Sequence, residues 1–70
     1  MKLTEAKAGV EYIIRDIVTV DEEMNAFLFT LGCYSGEPIT VISKLRSSVV
    51  VSIKDGRYSM DNQLADAIVV

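Results

Sequence analysis

Hydrophobic residues change period twice along this chain. From Val10 to Val18 β-branched and aromatic residues dominate, with Val10, Tyr12, Ile14 and Val18 on one parity and Ile13 and Ile17 on the other. Such alternation marks a strand, and apolar load on both of its faces predicts a bulge or a change of burial partway along. Met24, Phe27, Leu28 and Leu31 then fall at i, i+3, i+4 and i+7, which is one face of a helix. Asp21 is a good N-cap, Glu22 and Glu23 sit where the helix dipole favours negative charge, and Gly32 can end the helix in a left-handed conformation. The expected helix therefore runs over about 21–31, its stripe forming a lid on the core and Phe29 lying off the stripe toward solvent.

Beyond the turn residues Tyr34-Ser35-Gly36-Glu37-Pro38 the period returns to two. Ile39, Val41, Ser43 and Leu45 alternate with Thr40, Ile42, Lys44 and Arg46; Ser47-Ser48 breaks the pattern, and Val49, Val51 and Ile53 resume it against Val50, Ser52 and Lys54. Asp55-Gly56 matches a two-residue type I′ hairpin turn, which requires positive φ at Gly56 and makes Arg57 to Met60 the returning strand, with Tyr58 and Met60 facing inward. At the ends, Thr4 can cap a turn from Glu5 to Ala8 that Gly9 terminates at positive φ, and Asp61 can cap a turn through Asn62–Ala65 before a closing strand over Ala67–Val70. About five bent strands with one helix inserted after the first bury an inner face most easily as a small barrel. The expected core is Ile14, Leu28, Leu31, Val41, Val51, Ile53, Tyr58 and Ile68.

Size bounds what this pattern can hold. The chain has 70 residues, half of them hydrophobic, and a chain this short buries only about 60% of the surface that its unfolded form exposes. One domain over residues 1–70 is expected, with apolar surface left over for a partner to cover. The net charge is −3, and the seven basic residues are scattered, so no run neutralises neighbouring phosphates and nucleic acid is not the expected partner. The longest apolar runs, Ala26–Phe29 and Ala67–Val70, fall far short of the roughly 20 residues of a membrane span. A single cysteine, Cys33, and an N-terminus without a secretory pattern point to a reducing, cytoplasmic setting.

Chemistry-bearing sets are sparse. The chain has no histidine, so the usual base for a serine or cysteine nucleophile is missing, and Cys33 reads as a packed thiol. One cysteine and isolated carboxylates offer no ligand cluster for Fe²⁺ or Zn²⁺, and no cofactor or metal site is expected. Asp21-Glu22-Glu23 reads as a helix start, and the glycines form no phosphate loop.

The order and spacing of these elements resemble the ferrous iron transport protein A (FeoA) family. The carriers are Leu3-x-x-Ala6-x-x-Gly9, Ile14-x-x-Ile17, Phe27-Leu28-x-x-Leu31-Gly32 with Gly36 and Ile39-x-Val41, Val49-x-Val51-x-Ile53, Gly56-Arg57-Tyr58 and Ala65-x-Ala67-Ile68-x-Val70. Family members often carry more basic residues around the helix, where this chain has Met24-Asn25-Ala26. The resemblance implies a mainly β, SH3-like barrel without enzymatic activity. It also implies a cytoplasmic accessory of the membrane ferrous iron transporter FeoB, whose domain type also occurs fused to metal-dependent repressors. A metal-responsive domain binding Fe²⁺ directly through carboxylates, or a generic SH3-like binding module, is the alternative; weak self-association stays open. For the partner-facing surface the expectation is Phe29, Gly32, Tyr34 and Gly36, where off-parity aromatic side chains sit beside two glycines whose bare backbone allows close approach.

Overall fold

A computed structural model describes residues 1–70. Six strands form two sheets. The larger is antiparallel, in the order β1 (Glu11–Ile13), β3 (Pro38–Lys44), β4 (Ser48–Ile53), β5 (Gly56–Asp61). The smaller pairs β2 (Asp16–Ile17) with β6 (Ile68–Val69), also antiparallel. Helix α1 covers Glu22–Leu31 and a single turn, α2, covers Asn62–Ala65.

The long first strand expected over Val10–Val18 divides in two, which raises the strand count above the expected five. Up to Ile14 the backbone bonds toward β3, the Ile14 N–H donating to the Glu37 carbonyl at 2.8 Å; one residue later the Arg15 N–H donates to the Val69 carbonyl of β6 at 2.7 Å. Apolar load on both parities records this change of sheet. Ile14 is buried at the corner, whereas Val10, Ile13 and Val18 remain exposed. The ends of the chain close the small sheet, the Met1 ammonium donating to the Val70 carbonyl at 2.9 Å and the Val70 N–H to the Met1 carbonyl at 2.8 Å.

The central meander keeps its alternation. Ile39 and Val41 of β3, Val49, Val51 and Ile53 of β4, and Met60 of β5 face one core with Leu3, Ala6, Leu28, Cys33 and Ile68. Between Val41 and Ser43 the β3–β4 register shifts and leaves Ile42 bulged and exposed, which bends the sheet.

Several expectations change. The hairpin turn is Lys54-Asp55 rather than Asp55-Gly56, because Ile53 pairs with Gly56. Positive φ falls on Lys54, at 51°, and Gly56 is not in the left-handed region. A turn one residue later would have set Lys54 opposite Arg57, two like charges face to face, whereas the observed register places Arg57 opposite Ser52. Gly56 serves a different purpose, since a Cβ there would collide with the phenol of Tyr58. Tyr58 and Leu31 are only half-buried, the first on the outer strand of its sheet and the second in the last turn of α1. The other six expected core residues are buried. Phe27 is also exposed, so α1 lids the core chiefly through Leu28. The N-terminal turn lies at Leu3–Glu5, earlier than expected, with the Lys2 N–H donating to Glu5 Oε1 at 2.8 Å. Thr4 Oγ1 instead donates to Asp66 Oδ1, at 2.6 Å.

Candidate functional site

The end of α1 and the loop after it set the site. Asp21 starts the helix by accepting the N–H groups of Glu23 and Met24 at 3.0 and 3.1 Å. Gly32 stops it at φ 94°, its N–H bonding back to the carbonyls of Leu28 and Phe29. The reversal drops Cys33 into the core and carries Tyr34 back beside the last turn, so the Phe29 and Tyr34 rings stack with centroids 5.1 Å apart, tilted by 36°. Two bonds pin the loop to the β1–β2 corner: Ser35 Oγ donates to the Arg15 carbonyl at 3.0 Å, and the Gly36 N–H to the Ile14 carbonyl at 2.8 Å.

Lys54 reaches this loop from the β4–β5 turn. Its Nζ lies 5.1 Å from the centroid of the Tyr34 ring and 3.2 Å from Glu37 Oε1, an ammonium held between a π face and a carboxylate. The Tyr34 phenol first, and the Glu37 carboxylate with it, hold the Lys54 pKa above its ordinary range. The stem of Lys54 crosses the backbone of Gly32, where a Cβ would stand 2.7 Å from Cε.

Of the four surface residues expected from sequence, Phe29, Gly32 and Tyr34 thus come together. Gly36 shapes the loop at φ 93° in open space, and the face of Gly32 is covered by Lys54. Phe29 is 64% exposed, an aromatic ring offered to solvent beside a second ring. Lys54 and Glu37 were not anticipated; the available signal was their opposite charge, but nothing local places a hairpin turn over a helix end.

A groove of about 610 Å³ runs from this aromatic pair along α1 toward β2, bordered by Phe29, Tyr34, Ala26, Asn25, Glu22 and Asp16. Cys33 lies at its floor; burial pushes that thiol up to about 11, so it is protonated at neutral pH and no nucleophile. No three His, Cys, Asp or Glu side chains converge in a metal-binding group, and Asp21 Oδ1 is engaged in the helix cap. The arrangement suits surface contact.

The FeoA domain model matches residues 1–70. The chain belongs to the FeoA family. No curated protein matches it by sequence. Among solved structures, an iron uptake regulatory protein, FeoA, superimposes with a TM-score of 0.87 at 20% identity, covering 97% of this chain and 91% of that one. The zinc-complexed FeoA of Stenotrophomonas maltophilia, described as a prokaryotic SH3 domain protein, gives 0.87 at 18% identity over 99% and 87%. A manganese-dependent transcriptional repressor gives 0.85 at 17% identity, covering 97% of this chain but 39% of the repressor. These likenesses establish the SH3-like fold of this FeoA domain. No helix in it is long and apolar enough to cross a membrane.

Proposed function

We propose that this FeoA-family chain is a cytoplasmic accessory of ferrous iron uptake that acts by binding the membrane transporter FeoB, through the surface of Phe29 and Tyr34 bordered by Gly36, with Gly32 shaping it from beneath Lys54. Family membership supports the transport role, and the Stenotrophomonas maltophilia relative is itself put forward as a ferrous iron transport activating factor. The observation that carries the contact surface is the exposed Phe29 ring stacked on Tyr34. Aromatic residues outside a core are enriched at the centres of interfaces, and here Phe29 is held by α1 while the loop bearing Tyr34 is already fixed by Ser35, Gly36 and Lys54, so little ordering entropy opposes binding.

The test is capture of detergent-solubilised FeoB by the parent chain and by Phe29→Ser and Tyr34→Ser. Capture lost by Phe29→Ser with an unchanged melting temperature supports the surface. Capture retained by both variants places the contact elsewhere. Tight stoichiometric Fe²⁺ uptake in anaerobic equilibrium dialysis would instead favour direct metal sensing.

A further inference from the structure

One edge of the larger sheet is open. β5 runs against β4 through consecutive pairs from Ile53–Gly56 to Ser48–Asp61 without a bulge, and no strand pairs with its other side. The two-residue turn makes Ile53 and Gly56 a hydrogen-bonded pair, and such pairs alternate along an antiparallel ladder. Gly56, Tyr58 and Met60 therefore bond to β4, a parity that the Asn62 N–H continues by donating to the Ser47 carbonyl at 3.0 Å. Arg57, Ser59 and Asp61 turn their N–H groups the other way, where nothing in the chain accepts them. Their side chains share the outer face and are exposed. β5 has no proline, no bulge and no inward charge of the kind that usually protects a free edge.

We propose that this edge is a homodimer contact, in which β5 pairs antiparallel with β5 of a second copy about a two-fold axis at Ser59. In that register Ser59 exchanges both backbone bonds with its counterpart, and each Asp61 N–H meets the Arg57 carbonyl of the other copy. The charges select it. Arg57 of each copy stands opposite Asp61 of the other, and neither has an ion-pair partner within its own chain, whose single ion pair is Lys54–Glu37. Asp61 Oδ1 accepts the Leu64 N–H at 2.8 Å, which holds the carboxylate in place and leaves its second oxygen for the arginine. Sliding the copies two residues one way sets Asp55 against Asp61, and two residues the other way sets Arg57 against Gln63, so either slip loses both attractions. On the inner face the same register places Tyr58 opposite Met60 of the other copy, a thioether against an aromatic ring. Edges this short bury less than about 1,200 Å², so the dimer is weak and depends on concentration. Neither Phe29 nor Tyr34 lies on β5, and the inference is independent of the FeoB contact surface.

The experiment is sedimentation equilibrium of the parent chain and of Arg57→Glu and Asp61→Arg, each alone and the two mixed in equal amounts, from about 10 μM to 1 mM, the range of weak association. The parent should move from monomer toward dimer mass, less so as salt is raised. Each variant alone sets like charges opposite each other at both pairs and should associate about tenfold or more weakly. The mixture has opposite charges at both pairs and should recover association, which damage to the fold would not allow. If Asp61→Arg loses α2 with its cap, Asp61→Asn keeps the cap, removes the charge and should weaken the dimer about threefold. A parent that stays monomeric throughout, variants that associate as the parent does, or a mixture no better than its components would overturn the inference. So would association that is lost in Phe29→Ser but kept in Arg57→Glu.

Discussion

Lys54 lies across Gly32, its aliphatic stem occupying the space that a side chain at the helix terminus would need. A β-turn residue and a helix cap, distant in sequence, thereby fix the loop that carries Tyr34 between them. The cation at the stem's end completes the arrangement with Glu37.

Gly32 and Gly36 separate two costs of losing a glycine. Both have φ above 90°, but Gly36 faces open space whereas a Cβ at Gly32 meets Lys54. A left-handed L-residue costs roughly 1–2 kcal/mol, and each kcal/mol lowers the melting temperature of a domain this small by about 4–8 °C. Gly36→Ala should show the backbone cost alone. Gly32→Ala should melt lower still and should alter the near-ultraviolet signal of Tyr34 by displacing Lys54. Equal melts with an unchanged tyrosine signal would show that Lys54 does not rest on Gly32.

Leu28, fully buried, and Leu31, half-buried, occupy the same helix face one turn apart. Leu28→Ala should cost about 2–5 kcal/mol, the range for a core leucine. Total stability for this length is about 4–10 kcal/mol at 0.05–0.15 kcal/mol per residue, so this variant approaches the unfolding threshold. Leu31→Ala should cost clearly less. Denaturant titration of both decides the matter, and a larger loss at Leu31 would mean that the helix is rotated from the position described.

Lys54 should give stability an alkaline limit. Its folded pKa is raised above the ordinary 10.5, by Tyr34 first and then Glu37. A raised lysine contributes fully below the unfolded value and loses that contribution as pH rises through the folded one. Cys33, raised from 9.0 to about 11 by burial, likewise loses its contribution across that interval, but it does so equally in the parent and in Lys54→Met. The difference between the two chains, read from denaturant midpoints on either side of pH 10.5, should therefore shrink only above that pH. A difference independent of pH would show that the ammonium contributes nothing through its charge.

Helix α1 was legible because its signals are local: Asp21 at one end, Gly32 at the other and a periodic stripe between. The meander was legible for the same reason, its burial alternating as the residues do. Inside the helix the stripe misled, since period identifies a face but not how deeply that face sinks; Phe27 is on it and exposed. The turn at Lys54-Asp55 was missed because Asp-Gly is the stronger local preference, while strand register is settled by pairing along the whole of β4 and β5.

By itself the sequence determined the class of fold, the helix and its caps, the inward parity of the long strands and the exposure of Phe29. These follow from interactions within a few residues or from simple alternation. Tertiary structure alone decided where the first strand leaves one sheet for the other, that Lys54 covers Gly32 and that it pairs with Glu37. Each of those brings together segments whose separation is set by barrel closure, and closure is a property of all six strands at once.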